Sequence, residues 1–178
     1  MKNKECRWIG VLLLLVLVGC GDDRAPQTEF GSVKSVRAYR EMVEDIIVEA
    51  NAIEQDFRET AVGSTGQATG NNLSTAAMRL RPRLVAAIDQ LDRVKVPKKL
   101  VETHADVHAA LMLRLEAFDL MIAGWNVEQQ QTFDTAQPLY TDATKKLNEA
   151  TGILNQLNEV LLEVDIALAE ADSRTLVG

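Results

Sequence analysis

The stretch "VRAYREMVEDIIVEANAIEQDF", residues 36–57, decides the fold class. Val36, Tyr39, Val43, Ile46, Ala50, Ile53 and Phe57 recur at steps of three and four, with Glu41, Glu44, Asp45 and Glu49 off that line. Residues three and four apart share one face of an α-helix, so this is a single amphipathic stripe. It predicts a helix over about 33–60, begun at Ser32 or close to it.

The same spacing continues on either side of two breaks. "AVGSTGQATGNN", residues 61–72, favours flexible backbone and predicts a long mobile loop. Its three glycines are not followed by the GK[ST] of a phosphate loop and no strand precedes them, which argues against nucleotide binding. Leu73, Ala77, Leu80, Leu84, Ala87, Leu91 and Val94 mark a second helix, about 73–94, with a kink expected at residues 78–82 because Pro82 removes a backbone donor. "VKVPKK", residues 94–99, turns the chain, and Pro97 suits the first turn of a third helix, about 98–124. That helix carries Leu100, His104, Val107, Leu111, Leu115, Phe118, Ile122 and Trp125 on its stripe.

Asn126 with Gln129 reads as a reciprocal cap for a fourth helix, about 127–172, followed by a short tail at 174–178. Its register runs through Phe133, Ala136, Tyr140, Ala143, Leu147, Ala150, Leu154, Leu157, Leu161, Val164 and Leu168, and Pro138 is expected to bend it. Four such segments predict an all-α, antiparallel up-down four-helix bundle over 33–173 with a long C-terminal helix. Leu162 and Ile166 lie off the apolar line of the last helix, as Leu113 and Leu120 do on the third. Such residues serve either a second packing face or a contact with another chain, by self-association or with a protein partner.

Composition agrees with a Leu/Ala/Val helical domain: of 178 residues 47% are hydrophobic and only 4% aromatic. The formal charge of −7, with Lys and Arg scattered along the chain, argues against a nucleic-acid partner.

"MKNKECRWIGVLLLLVLVGC", residues 1–20, has a basic start, an apolar run from Trp8 to Val18, and Gly19 before Cys20. This is the layout of an export signal, and the run is short for a spanning helix, which takes roughly 17–25 residues. Leu17-Val18-Gly19-Cys20 resembles the lipobox of bacterial lipoproteins. The resemblance implies cleavage before Cys20, lipidation of its thiol, and a membrane anchor in the cell envelope. It also implies that Gly21, standing where an Asp would favour inner-membrane retention, directs a Gram-negative protein to the outer membrane, facing the periplasm. Residues 20–32 then form the lipidated cysteine and a polar tether. Removing residues 1–19 takes three basic residues and one acidic one, leaving 16 basic against 25 acidic, a net −9. With Cys6 removed and Cys20 acylated no thiol is left, so packing alone must hold the domain.

The segment from Leu84 to about Glu163, centred on "VPKKLVETHADVHAALMLRLEAFDLM", is similar to uncharacterised small helical-bundle lipoproteins. In these a Val-Pro turn precedes a helix with an early His and a long polar-rich last helix. That resemblance implies the fold, and no catalytic residue comes with it.

His104 and His108 are the candidate ligands of the chain. Four apart on a helix, they share a face and with Met112 form a row suited to copper or zinc. Ala105 stands where a zinc protease needs Glu, no ExxH pair of a ferritin-like centre occurs, and no CxxCH haem attachment is present. The competing reading makes both imidazoles packing residues that hydrogen-bond to a neighbouring helix. With no GxSxG elbow and no SxxK, the expectation is a non-catalytic binding or scaffolding module without a cofactor. The alternative is a metal- or haem-binding bundle.

Overall fold

The computed structural model describes residues 26–63 and 66–177, with side chains through Thr175. The signal segment 1–19, the lipidation position Cys20 and residues 21–25 of the tether lie outside the described residues. The remainder of the tether is not a plain linker. Gln27–Thr28 (β1) and Gly31–Ser32 (β2) pair antiparallel in a tight hairpin. Thr28 Oγ1 donates to Gly31 O at 3.0 Å and accepts from Phe30 N at 3.2 Å, and Gly31 takes φ 141°, a conformation that suits only glycine. Phe30 packs on the core edge and Val33 N donates to Pro26 O at 2.9 Å, so the hairpin is fastened to the bundle.

Four helices follow: α1 Val33–Val62, α2 Gly70–Leu91, α3 Val101–Gln130 after a single 3₁₀ turn at Lys98–Leu100, and α4 Phe133–Val177. They form the expected all-α bundle. Ser32 Oγ caps α1 by accepting from Ser35 N at 3.3 Å, and Thr69 Oγ1 caps α2 by accepting from Asn72 N at 3.2 Å. The predicted loop at 61–72 is therefore shorter, because Ala61 is buried as the last core residue of α1 and Thr69 starts α2 early. Neither proline breaks its helix. Pro82 is exposed, so the Met78 carbonyl that it leaves without a helical partner faces water rather than the core.

The junction of α3 and α4 departs most from expectation. Asn126 is not a cap: α3 runs on to Gln130, and Thr132 caps α4 by accepting from Thr135 N at 3.4 Å. The reason is tertiary, since the extra turn carries Glu128 to the hydroxyl of Tyr140. At the other end the helix continues through the predicted tail to Val177.

Each helix packs on the next in sequence, most extensively α3 on α4 and least α4 on α1. Ala136, Ala143 and Ala150 are fully buried along α4, and small residues of this kind let α3 approach closely. Where α4 returns to α1, two ion pairs close the ring: Arg37 to Asp172 at 2.7 and 2.8 Å, and Arg40 to Asp165 at 2.9 and 3.0 Å. The core runs from Val33 to Ala171, with Phe57 stacked on Phe118 at 5.0 Å near one end and Tyr39 near the other. A chain beginning at residue 21 thus contains the whole core found among the described residues. Among the described residues no helix is long and apolar enough to cross a membrane.

Candidate functional site

His104 lies one turn into α3, and its ring is 6.1 Å from that of Tyr39 on α1, tilted by 52°. Tyr39 is 1% exposed, and neither its hydroxyl nor His104 Nδ1, both buried, has a hydrogen-bond partner in the protein. His108, on the same face, is turned elsewhere: its Nε2 lies 3.5 Å from Oδ1 of Asp92, just past the end of α2. Met112 packs against the core. The three members of the sequence row therefore have three different surroundings. Among the described residues no group of three or more His, Cys, Asp or Glu is arranged to hold a metal ion.

Burial pushes His104 below the usual imidazole value, and His108 nearby adds to this against a smaller opposing pull from Asp92. Burial likewise pushes the Tyr39 phenol up to about 12. Both shifts favour the neutral side chain in the folded protein. For His104 the unfolded chain binds the proton more readily, so folding stability should fall as pH drops below about 6.5. For Tyr39 the loss comes at the alkaline end, from about pH 10 up to about 12. Urea melts between pH 7.5 and 5 are expected to show a steeper acid loss in the natural protein than in His104→Phe. Equal slopes would mean that His104 titrates as in the unfolded chain.

Two arrangements went unread in the sequence. The first is Arg114, 3% exposed in the middle of α3. Its Nη1 donates to the Ala50 carbonyl of α1 at 2.7 Å, its Nη2 donates to Glu54, and its Nε is buried without a partner. Glu54 also accepts from Arg58 of its own helix. Burial lowers the Arg114 proton affinity, with the Glu54 carboxylate acting against it.

The second lies at the opposite end from Tyr39. The Tyr140 hydroxyl of α4 donates to Glu128 of α3 at 2.8 Å, directly over Gly70 at the start of α2. A Cβ on Gly70 would fall on both groups, and one on Gly124 would lie 2.7 Å from the Tyr140 ring. The Glu128 carboxylate thus rests against the N-terminus of α2, where the helix dipole favours negative charge. Three helices are clamped there by one hydrogen bond over two glycines.

On the outside of α4, Leu162 and Ile166 are 60% and 51% exposed, so they do not serve a packing face within the bundle. Leu113 and Leu120 do: both are half-buried against the core. Glu159, Glu163 and Glu170 share the outward side of α4 with Leu162 and Ile166 and are exposed. No protein-family model, curated protein or solved structure matches this chain.

Proposed function

We propose that this chain is a bacterial lipoprotein, anchored through acylated Cys20 in the cell envelope, whose bundle is a non-catalytic binding or scaffolding module. The observation that carries the binding part is the exposure of Leu162 and Ile166, two large apolar side chains pointing away from the buried line of α4. Burying such a side chain gains roughly 1.5–3 kcal/mol, and a handful of such anchors commonly dominates an interface. Anchoring is supported by the order of basic start, apolar run and Leu17-Val18-Gly19-Cys20. The outer membrane facing the periplasm is the favoured site in a Gram-negative host, with a protein partner or a second copy meeting α4.

Two substitutions test the two halves separately. Cys20→Ser should move the protein from the membrane to the soluble fraction, and a full membrane-bound fraction would count against lipidation. Leu162→Glu/Ile166→Glu should leave the melting temperature within about 2 °C, because exposed substitutions away from special features usually cost under 0.5 kcal/mol. It should abolish self-association or partner capture, and an unchanged complex would sink this role for α4.

The alternative is a metal- or haem-binding bundle centred on His104 and His108, and the buried, unpartnered Nδ1 of His104 is what favours it. Titration of residues 21–178 with copper, zinc and haem, read by native mass spectrometry, decides it. A one-to-one adduct lost in His104→Ala/His108→Ala supports it; no adduct removes it.

A further inference from the structure

The connection from α2 to α3 reads Arg93-Val94-Lys95-Val96-Pro97-Lys98-Lys99-Leu100. Its side chains are sorted by polarity: Val94, Pro97 and Leu100 are buried and Val96 is half-buried, while Arg93, Lys95, Lys98 and Lys99 are exposed. Among the described residues none of these four makes an ion pair, and neither does exposed Lys34 in the first turn of α1. By contrast Arg37, Arg40, Arg58, Arg81, Arg83, Arg114 and Lys146 are each paired with a carboxylate. Among the described residues Arg79 and Lys145 also lack an ion pair and stand apart on α2 and α4, but these five gather at one end of an otherwise acidic bundle. Acids share that end, Glu29, Asp89, Glu102 and Glu170 being exposed, Asp92 lying beside His108 and Asp172 being paired with Arg37, but the turn from Arg93 to Leu100 itself contains none.

The same end receives the chain from its N-terminal side. Pro26 is fastened to Val33, and Pro97 Cβ lies 4.0 Å from where a Cβ on Gly31 would stand, so the hairpin and the basic turn are neighbours. Six residues lead from Cys20 to Pro26, a span of about 20 Å at full extension. An acyl chain on Cys20 would therefore hold this end, rather than the Glu128–Tyr140 end, against the membrane.

We propose that Arg93, Lys95, Lys98 and Lys99, with Lys34, form a docking face for the headgroups of an anionic phospholipid membrane. The proposal rests on the lipid-anchor reading for placing the membrane at this end. Its electrostatics act within a Debye length, about 8 Å at physiological salt, so the short tether matters. A net charge of −9 on the mature chain repels an anionic surface in every other orientation, so the face would also set the bundle upright.

The test uses residues 21–178, without the anchor, floated with vesicles of phosphatidylcholine alone or with half phosphatidylglycerol, at 20 mM salt. Binding only to the phosphatidylglycerol vesicles is expected, lost at 0.5 M salt. Each basic side chain near such a surface contributes roughly fivefold, so Arg93→Gln/Lys95→Gln/Lys98→Gln/Lys99→Gln should lose on the order of 600-fold in partition. Lys145→Gln on the flank of α4 should lose little. Equal partition of the quadruple variant, binding to both vesicle types alike, or binding to duplex DNA in place of vesicles would each overturn the proposal. Mass analysis of Cys20 in the full chain separates the two ideas. An acylated Cys20 without vesicle binding by the domain leaves the anchor and removes the docking face. Vesicle binding with an unmodified Cys20 does the reverse.

Discussion

Arg114→Ala is expected to lower the unfolding free energy by about 2–4 kcal/mol in urea melts of residues 21–178. Removing one partner of a buried ion pair costs about 3–5 kcal/mol when the other is left uncompensated, and the lost side-chain volume adds a cavity. Here Glu54 keeps Arg58 and is 20% exposed, which places the loss toward the lower part of that range. Arg114→Met separates the two contributions. It refills the volume, removes a guanidinium whose Nε has no partner, and should cost under about 1.5 kcal/mol. If methionine were as damaging as alanine, the bond to the Ala50 carbonyl and Glu54 would matter more than the packing. A loss below 1 kcal/mol for alanine would mean that α1 and α3 close over the gap.

Gly124→Ala should destabilise by about 1–3 kcal/mol, although alanine is the better helix former by roughly 1 kcal/mol. The added methyl would stand 2.7, 3.0 and 3.1 Å from three atoms of the Tyr140 ring, which is held by Glu128 and stacked at 6.3 Å on Phe133. The ring can move only by giving up the hydrogen bond above Gly70. Gly124→Val should be worse than alanine, with unfolding at ordinary temperature a realistic result. Combining Gly124→Ala with Tyr140→Ala tests the cause, because the two losses should be strongly sub-additive if the clash is the mechanism. Additive losses, or a stabilised Gly124→Ala, would show that α3 and α4 separate without strain.

How much of this was legible differs from helix to helix. All seven stripe residues of α1 are buried, as are all those of α4 from Ala143 onward except half-buried Leu147. Both helices present one apolar line to the core, and there a 3.6-residue period suffices. Phe133 breaks the pattern at 54% exposure because it lies in the first turn of α4, at the open end of the bundle. Helix α3 is contacted along its length by both α2 and α4, so it is apolar on more than one side. Its buried line runs through Val107, Leu111, Arg114, Phe118, Met121 and Gly124 rather than through Leu115, Ile122 and Trp125. An arginine and a glycine carry no apolar signal, so reading by hydrophobicity passes over the two positions that tie α3 to its neighbours. Their only trace is periodic: Arg114 falls between Leu111 and Phe118 at the spacing a core residue would occupy.

The histidine pair was legible as a pair and not as surroundings. Spacing puts His104 and His108 on one face, but Tyr39 and Asp92, which decide their company, come from other helices at sequence distances no local pattern encodes. The basic turn was visible as letters yet counted as scattered charge. Its meaning depends on which of the other cations are already paired, and only the tertiary structure supplies that.

The slight contact between α4 and α1 bears on how the chain reaches this state. Nearly all the packing joins helices consecutive in sequence, so the relative contact order is low, the class that folds in microseconds to milliseconds. A chain released N-terminus first can zip α1 to α2, then α3, then α4, without waiting for its far end. Ring closure through Arg37–Asp172 and Arg40–Asp165 would come last, leaving that flank the part of the native bundle that opens first in amide exchange.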